Sequence, residues 1–107
     1  MSLDNLPVGW VSTTLEIISS KITDGSHNPP KPSSEGKPMI SAKNIVNGNI
    51  LFDEGYRLIS EDSFEIEARR TRIQPNDILL TIVGALGRSA IVPNNIQEFT
   101  LQRSVAV

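Results

Sequence analysis

The densest apolar run of the chain is Ile78–Val83, where leucine, isoleucine and valine are interrupted only by Thr81. Because this run does not alternate between apolar and polar side chains, it predicts a strand buried on both faces. Shorter apolar segments bounded by turn residues predict further strands at 38–42, 49–52, 56–59, 89–92 and 99–107. The Asn47-Gly48 dipeptide predicts a tight turn between the first two.

The N-terminal part combines a short helix with a long irregular segment. Thr13 and Glu16 have capping-box spacing, which predicts a helix over 13–20. Residues 22–36 contain three prolines and two glycines, which exclude a helix interior or a central strand. Loops of this length are uncommon in compact domains and are often functional.

A second helix is predicted to begin after Ser60, with acidic residues in its first turn and Arg69 and Arg70 in its last. Ile59 and Phe64 have the spacing of a hydrophobic staple. The complete pattern predicts one α+β domain over residues 1–107. It would contain short mixed or antiparallel strands, two short helices and a long proline-rich loop.

Composition and charge exclude or disfavour several classes of function. The net charge is −2, but residues 53–67 carry −5, so the remainder carries +3 and is able to form a basic face. The lack of cysteine excludes disulfides, and a single histidine disfavours a zinc site. Neither a membrane span of roughly 20 residues nor a signal peptide is evident, so we expect a cytoplasmic protein without a membrane partner.

Residues 24–31 read DGSHNPPK and raise two catalytic interpretations. Asn28-Pro29-Pro30 begins the signature with which adenine methyltransferases hold their target, but Lys31 replaces the aromatic ring that stacks on the flipped base. No Gly-x-Gly turn for a cofactor occurs in the sequence, which disfavours methylation. His27 is either a general base near neutral pH or an exposed histidine that caps a turn. We expect Ser26, His27 and Lys31 to be loop donors that contact a ligand.

Three further polar motifs lie at predicted turns and strands. Gly84–Gly87 lacks the lysine and the following helix of a phosphate loop, but Arg88 beside it is able to reach a phosphate or a guanine edge. Lys43-Asn44 and Gln102-Arg103 carry side chains that read guanine and adenine. The alternative in each case is a polar pair without a ligand. The acidic residues of 61–67 are most simply a solvated helix face, so we see no catalytic constellation.

The order of these motifs resembles the target-recognition domain of the specificity subunit of type I restriction–modification systems. The motifs concerned are Leu6-Pro7-Val8-Gly9-Trp10, the loop at 24–27, Pro38–Ile45 with Asn47-Gly48, Pro75–Thr81, the glycines at 84 and 87, and Gln102-Arg103-Ser104. Together they span residues 5–107. The family often has glycine where this chain has Asn76, a residue that also tolerates the left-handed conformation.

The resemblance implies a non-catalytic subunit, without a cofactor of its own, that recognises a split DNA sequence with one half per domain. Its partners would be double-stranded DNA, modification subunits that methylate adenine with S-adenosylmethionine, and restriction subunits that cut DNA using ATP. It also implies that this chain is the front part of one recognition domain, without the rest of that domain and the helical spacer. The alternative is a small β-rich protein-interaction module without DNA binding.

Chemistry and loop position, rather than the resemblance, select the DNA-contact residues that we expect. They are Ser26, His27, Lys31, Lys43, Asn44, Arg88, Gln102 and Arg103. The apolar end of the chain predicts that the strand over Phe99–Val107 has an unpaired edge or an uncovered face, and hence self-association.

Overall fold

The computed structural model describes residues 5–53 and 55–107; Glu54 of the acidic segment lies outside them. The helices are α1 (Leu15–Ile18) and α2 (Glu61–Thr71), with a 3₁₀ turn at Ala42–Asn44. The strands are β1 (Lys37–Ile40), β2 (Ile45–Val46), β3 (Asn49–Ile50), β4 (Arg57–Ile59), β5 (Ile78–Thr81), β6 (Ser89–Ile91), β7 (Thr100–Leu101) and β8 (Val105–Ala106). This mixture of short strands and few helices confirms the α+β class.

Two three-stranded sheets share the core. In the first, β1 lies between antiparallel β4 and parallel β7. In the second, β5 lies between β6 and β8, and both pairings are antiparallel. The short β2–β3 hairpin forms a third unit, and the turn between β7 and β8 connects the two larger sheets.

The central strand β1 is buried on both faces. Met39 is fully buried with Ile59 and Phe64, so the staple predicted at the start of α2 forms as a packed cluster. Ile40, the next residue, points to the other face. It joins the main core, which contains Ile45, Leu79, Ala90, Val92, Phe99, Leu101 and Val105.

The prediction that Ile78–Val83 is buried on both faces is wrong. Leu79 is fully buried, but Ile78 is 61% exposed and Val83 is 48% exposed, and the strand ends at Thr81. The two faces of β5 differ because only one of them packs against the main core. Alternate residues of β5 enter the main core, while its opposite face lacks comparable cover within the described residues.

The strand predicted at 99–107 is interrupted. The Val105 amide donates to the Gln102 carbonyl at 3.1 Å, which closes a turn between β7 and β8. The predicted unpaired edge is also wrong, since residues 23–26 cover both strands. Thr23 and Val107 exchange two backbone hydrogen bonds, and the amide of Ser26 donates to the Leu101 carbonyl. The two strands pair with different sheets, which favours a turn over one straight strand.

The first helix is shorter than predicted, and its N-cap is Thr14 rather than Thr13. The Thr14 hydroxyl accepts a hydrogen bond from the Ile17 amide, and the helix ends one turn later at Ile18. None of its residues is buried, so no tertiary packing extends it beyond this marginal length.

The other boundaries differ by one or two residues. β1 ends at Ile40 because the 3₁₀ turn follows, and β3 ends at Ile50. The turn residues behave as predicted. Asn47 and Asn76 have positive φ angles of 52° and 73°, which a short polar side chain tolerates.

Substitution at two neighbouring positions of β5 tests the one-sided burial. Leu79→Ala removes a fully buried side chain and is expected to lower the free energy of unfolding by about 2–5 kcal/mol. Ile78→Ala, the matched control, should change it by no more than roughly 0.5 kcal/mol because its side chain is largely exposed. Urea unfolding measures both, and equal losses would contradict this account of β5.

Candidate nucleic-acid interface

The β7–β8 turn and three other polar segments that are distant in sequence lie close together. They are residues 24–27, 41–45, 84–88 and 102–104, which we name the turn cluster. Backbone and hydroxyl hydrogen bonds connect the first, second and fourth of these segments, and the Arg88 guanidinium connects the third to the Ile45 carbonyl. Seven of the eight predicted contact residues lie in this cluster.

The segment at 24–27 joins the cluster through close backbone contact with the β7–β8 turn. The Gly25 amide donates to the Val105 carbonyl at 3.0 Å, and the Arg103 amide donates to the Ser26 carbonyl at 3.2 Å. A β-carbon at Gly25 would lie 2.0 Å from the carbonyl oxygen of Gln102. Only glycine therefore permits this approach without a backbone shift.

Ser104 connects the turn to two other parts of the cluster. Its hydroxyl accepts a hydrogen bond from the Ala42 amide at 2.9 Å, which holds the 3₁₀ turn beside it. Its carbonyl accepts the Ile82 amide at 2.9 Å, which fixes the start of the 84–88 turn. The guanidinium of Arg88 then reaches the Ile45 carbonyl at 3.5 Å.

The side chain of the loop histidine, His27, pairs with that of Asp24. His27 Nε2 lies 2.6 Å from Asp24 Oδ2, and Arg70 donates to the Asp24 carbonyl at 2.7 Å. The hydrogen bond from His27 is the main cause that lowers the pKa of Asp24 below its ordinary value, with smaller contributions from the charges of His27 and Arg70. His27 itself stays 63% exposed. The pair therefore fixes the loop while leaving the imidazole open to solvent.

Exposure divides the predicted residues into two groups. His27, Lys43, Arg88 and Arg103 are exposed and Gln102 is half-buried, so their side chains are accessible to a ligand. Ser26 and Asn44 are buried. These buried side chains are better placed to hold the shape of the cluster than to reach a base edge.

Asn44 is built into the scaffold. Its side-chain oxygen accepts the Ser41 amide at 3.0 Å, and its side-chain nitrogen donates to the Leu51 carbonyl at 3.0 Å. These bonds close the 3₁₀ turn and hold it against the segment after β3. Lys43 is thereby presented outward, with its aliphatic stem over Gly55.

Lys31 is not brought into the turn cluster. The proline loop is anchored to β4, where Arg57 donates to the Pro30 carbonyl at 2.6 Å and the Ser33 amide donates to Leu58. Since β4 and β7 flank opposite sides of β1, exposed Lys31 lies on the far side of that sheet.

Sequence reasoning missed three residues on which the site depends. Gly25 permits the close approach, Ser104 connects the turns, and Arg70 of α2 supports the loop. The motif Gln102-Arg103-Ser104 was the available signal for Ser104. No local pattern indicates contacts that span 46 residues, as between Arg70 and Asp24.

The exposed charges of the cluster are positive. Lys43, Arg88 and Arg103 face solvent there, while Asp24 is paired with His27 and Arg70. Across residues 5–53 and 55–107, no group of three acidic or histidine side chains is suited to a metal ion. No helix in those ranges has the length and hydrophobicity that crossing a membrane requires.

Comparison with known proteins finds similarity to a specificity subunit of a type I restriction enzyme, the class that the motif order resembles. The relative is the EcoBI specificity subunit of Escherichia coli. It is 32% identical over 113 aligned residues, which cover 99% of this chain and 23% of the relative. The chain thus spans about a quarter of the length of the protein it matches. No protein-family model matches the chain.

Gly25→Ala tests whether the turn cluster depends on the close backbone approach. The added β-carbon must displace the Gln102 backbone, and overpacking of this kind costs about 1–3 kcal/mol. We expect faster amide hydrogen exchange at Ser26 and Arg103, whose N–H groups make the contact. Gly48→Ala is the control, because its β-carbon would meet open space and only the hairpin turn would be strained. Unchanged exchange at both amides in Gly25→Ala would refute the account.

Asp24→Asn tests the charge that holds His27. Because the folded-state pKa of Asp24 lies below 3.8, its carboxylate stabilises the fold above that pH. This contribution is lost as the pH falls through the lowered value. The asparagine variant still offers a hydrogen-bond acceptor but should lack this component of acid destabilisation. The free energy of unfolding, measured against pH below about 4, tests this prediction. Parallel curves for the parent and the variant would contradict it.

Proposed function

We propose that this chain is a DNA-recognition module of a type I restriction–modification specificity subunit. The observation that carries the proposal is the convergence of exposed cationic side chains and the half-buried amide of Gln102 in the hydrogen-bonded turn cluster. Arginine, lysine and glutamine are the side chains that contact phosphates and base edges. A rigid scaffold that presents such groups on turns suits recognition of a duplex surface.

The similarity to a specificity subunit supports DNA-sequence recognition in general. On this proposal the chain is an incomplete recognition domain and catalyses no reaction. It would direct adenine methylation and restriction that the modification and restriction subunits perform. Double-stranded DNA and those subunits are the proposed partners.

Within this proposal the predicted contact residues take different parts. Lys43, Arg88, Gln102 and Arg103 are accessible and would contact DNA directly, with His27 at the side of the cluster. Ser26 and Asn44 would act by holding the turns. Lys31 would reach only a phosphate that lies beyond the cluster.

A second candidate, a protein-interaction module, is favoured by exposed apolar side chains. Trp10, Val11 and Ile17 are 67–85% exposed, and Ile78 and Ile91 are more than 60% exposed on the β6–β5 face. Apolar surface of this kind is typical of protein contacts. Binding to a protein partner through it would depend little on salt, which separates this candidate from DNA binding.

The salt dependence of duplex binding tests the proposal. Fluorescence anisotropy with a labelled random-sequence duplex should show affinity falling steeply between about 50 and 200 mM salt. Lys43→Ala should reduce the slope of log K against log salt by about one, since it removes one phosphate contact. The result would be a uniform weakening across sequences.

Lys37→Ala is the matched control because it changes the net charge equally. The Lys37 ammonium already lies 3.9 Å from Glu61 and 3.5 Å from Glu98, away from the turn cluster. Its slope should equal that of the parent. Identical slopes for both variants would show that Lys43 does not contact DNA, and salt-insensitive or absent binding by the parent would favour the protein-interaction candidate.

A further inference from the structure

Hydrogen bonds to several other segments hold the β7–β8 turn in place. The Gln102 amide donates to the Ile40 carbonyl at 2.9 Å, and the Arg103 amide donates to Ser26. Ser104 accepts hydrogen bonds from two further segments through its hydroxyl and its carbonyl. Each residue of the turn is therefore fixed to a different part of the fold.

Arg103 is the exposed cation on this turn. Within the described residues, its guanidinium makes no hydrogen bond or ion pair, in contrast to most other arginines of the chain. The arginines that donate to protein acceptors are Arg57, Arg70, Arg72 and Arg88. Arg69 also lacks a described side-chain acceptor, but it lies on α2, outside the cluster.

We infer that Arg103 reads a guanine in the major groove of the target duplex, in contrast to the phosphate contact proposed above for Lys43. This inference rests on the proposed function. A guanidinium fork matches the O6 and N7 acceptors of guanine with two parallel hydrogen bonds, and such a contact needs accurate placement. The hydrogen-bonded turn holds Arg103 in a defined position, and its guanidinium supplies the two donors. A lysine ammonium, by contrast, acts as a point charge.

Selection from a randomised duplex library tests this inference. The parent is expected to enrich guanine at one position, and Arg103→Ala should lose that preference by roughly five- to 150-fold while keeping preferences elsewhere. Thermal unfolding of the variant should match that of the parent, because the side chain has no described polar contact to lose. Arg69→Ala, with the same change in charge, should retain the enriched sequence.

The outcomes separate this inference from the function on which it rests. If Arg103→Ala weakens all sequences alike, Arg103 contacts phosphate and the inference is overturned, while DNA binding stands. If the parent binds duplexes but enriches no guanine, the inference also fails alone. If the parent enriches no duplex and shows no salt-dependent binding, the proposed function and the inference fail together.

Discussion

The close approach of residues 23–26 to the β7–β8 turn is the contact on which the remaining site depends. It occurs at a glycine whose β-carbon would otherwise meet the Gln102 backbone. Through it the loop covers the outer edges of β7 and β8, which belong to different sheets. Buried backbone groups need partners, so one segment satisfies two edges and is itself fixed. The position of His27 and the support of Arg103 both follow from this docking.

The sequence predicted those features of the fold that local chemistry determines. Ser60 caps α2 as its residue type predicts, and Asn47 and Asn76 take positive φ angles at their turns. The α+β class followed from the same patterns. Features that arise from tertiary pairing were not predictable. The apolar run at Ile78–Val83 gave no sign that one of its faces would stay open, because periodicity records hydrophobicity and not the presence of a covering layer.

The candidate site also combines features that the sequence predicts with features that depend on tertiary contacts. Accessible side chains such as Lys43, Arg88 and Arg103 were identified because their chemistry and turn positions are visible in sequence. The buried state of Asn44 was not predicted from the sequence, since hydrogen bonds of its side chain depend on the 3₁₀ turn and on the segment at Leu51. The scaffold role of Ser104 depends on Ala42, 62 residues away. Long-range contacts therefore decide which polar residues remain available to a ligand.

The exposed apolar segments and the polar turn cluster differ in the kind of partner that each surface suits. The cluster presents cations and amides suited to a duplex, while Trp10 and the β6–β5 face present surface suited to protein. Under the proposed function DNA binds the turn cluster, where accessible charge is positive and the backbone is held by hydrogen bonds.

Backbone chemical-shift mapping during titration with a short random duplex tests this assignment most directly. We expect amide shifts to concentrate in residues 41–45, 84–88 and 102–104, with smaller changes at 24–27. They should shrink as salt is raised, because the contacts are charged. Shifts confined to the acidic face of α2 or to the apolar β6–β5 face, or no shifts at low salt, would contradict it.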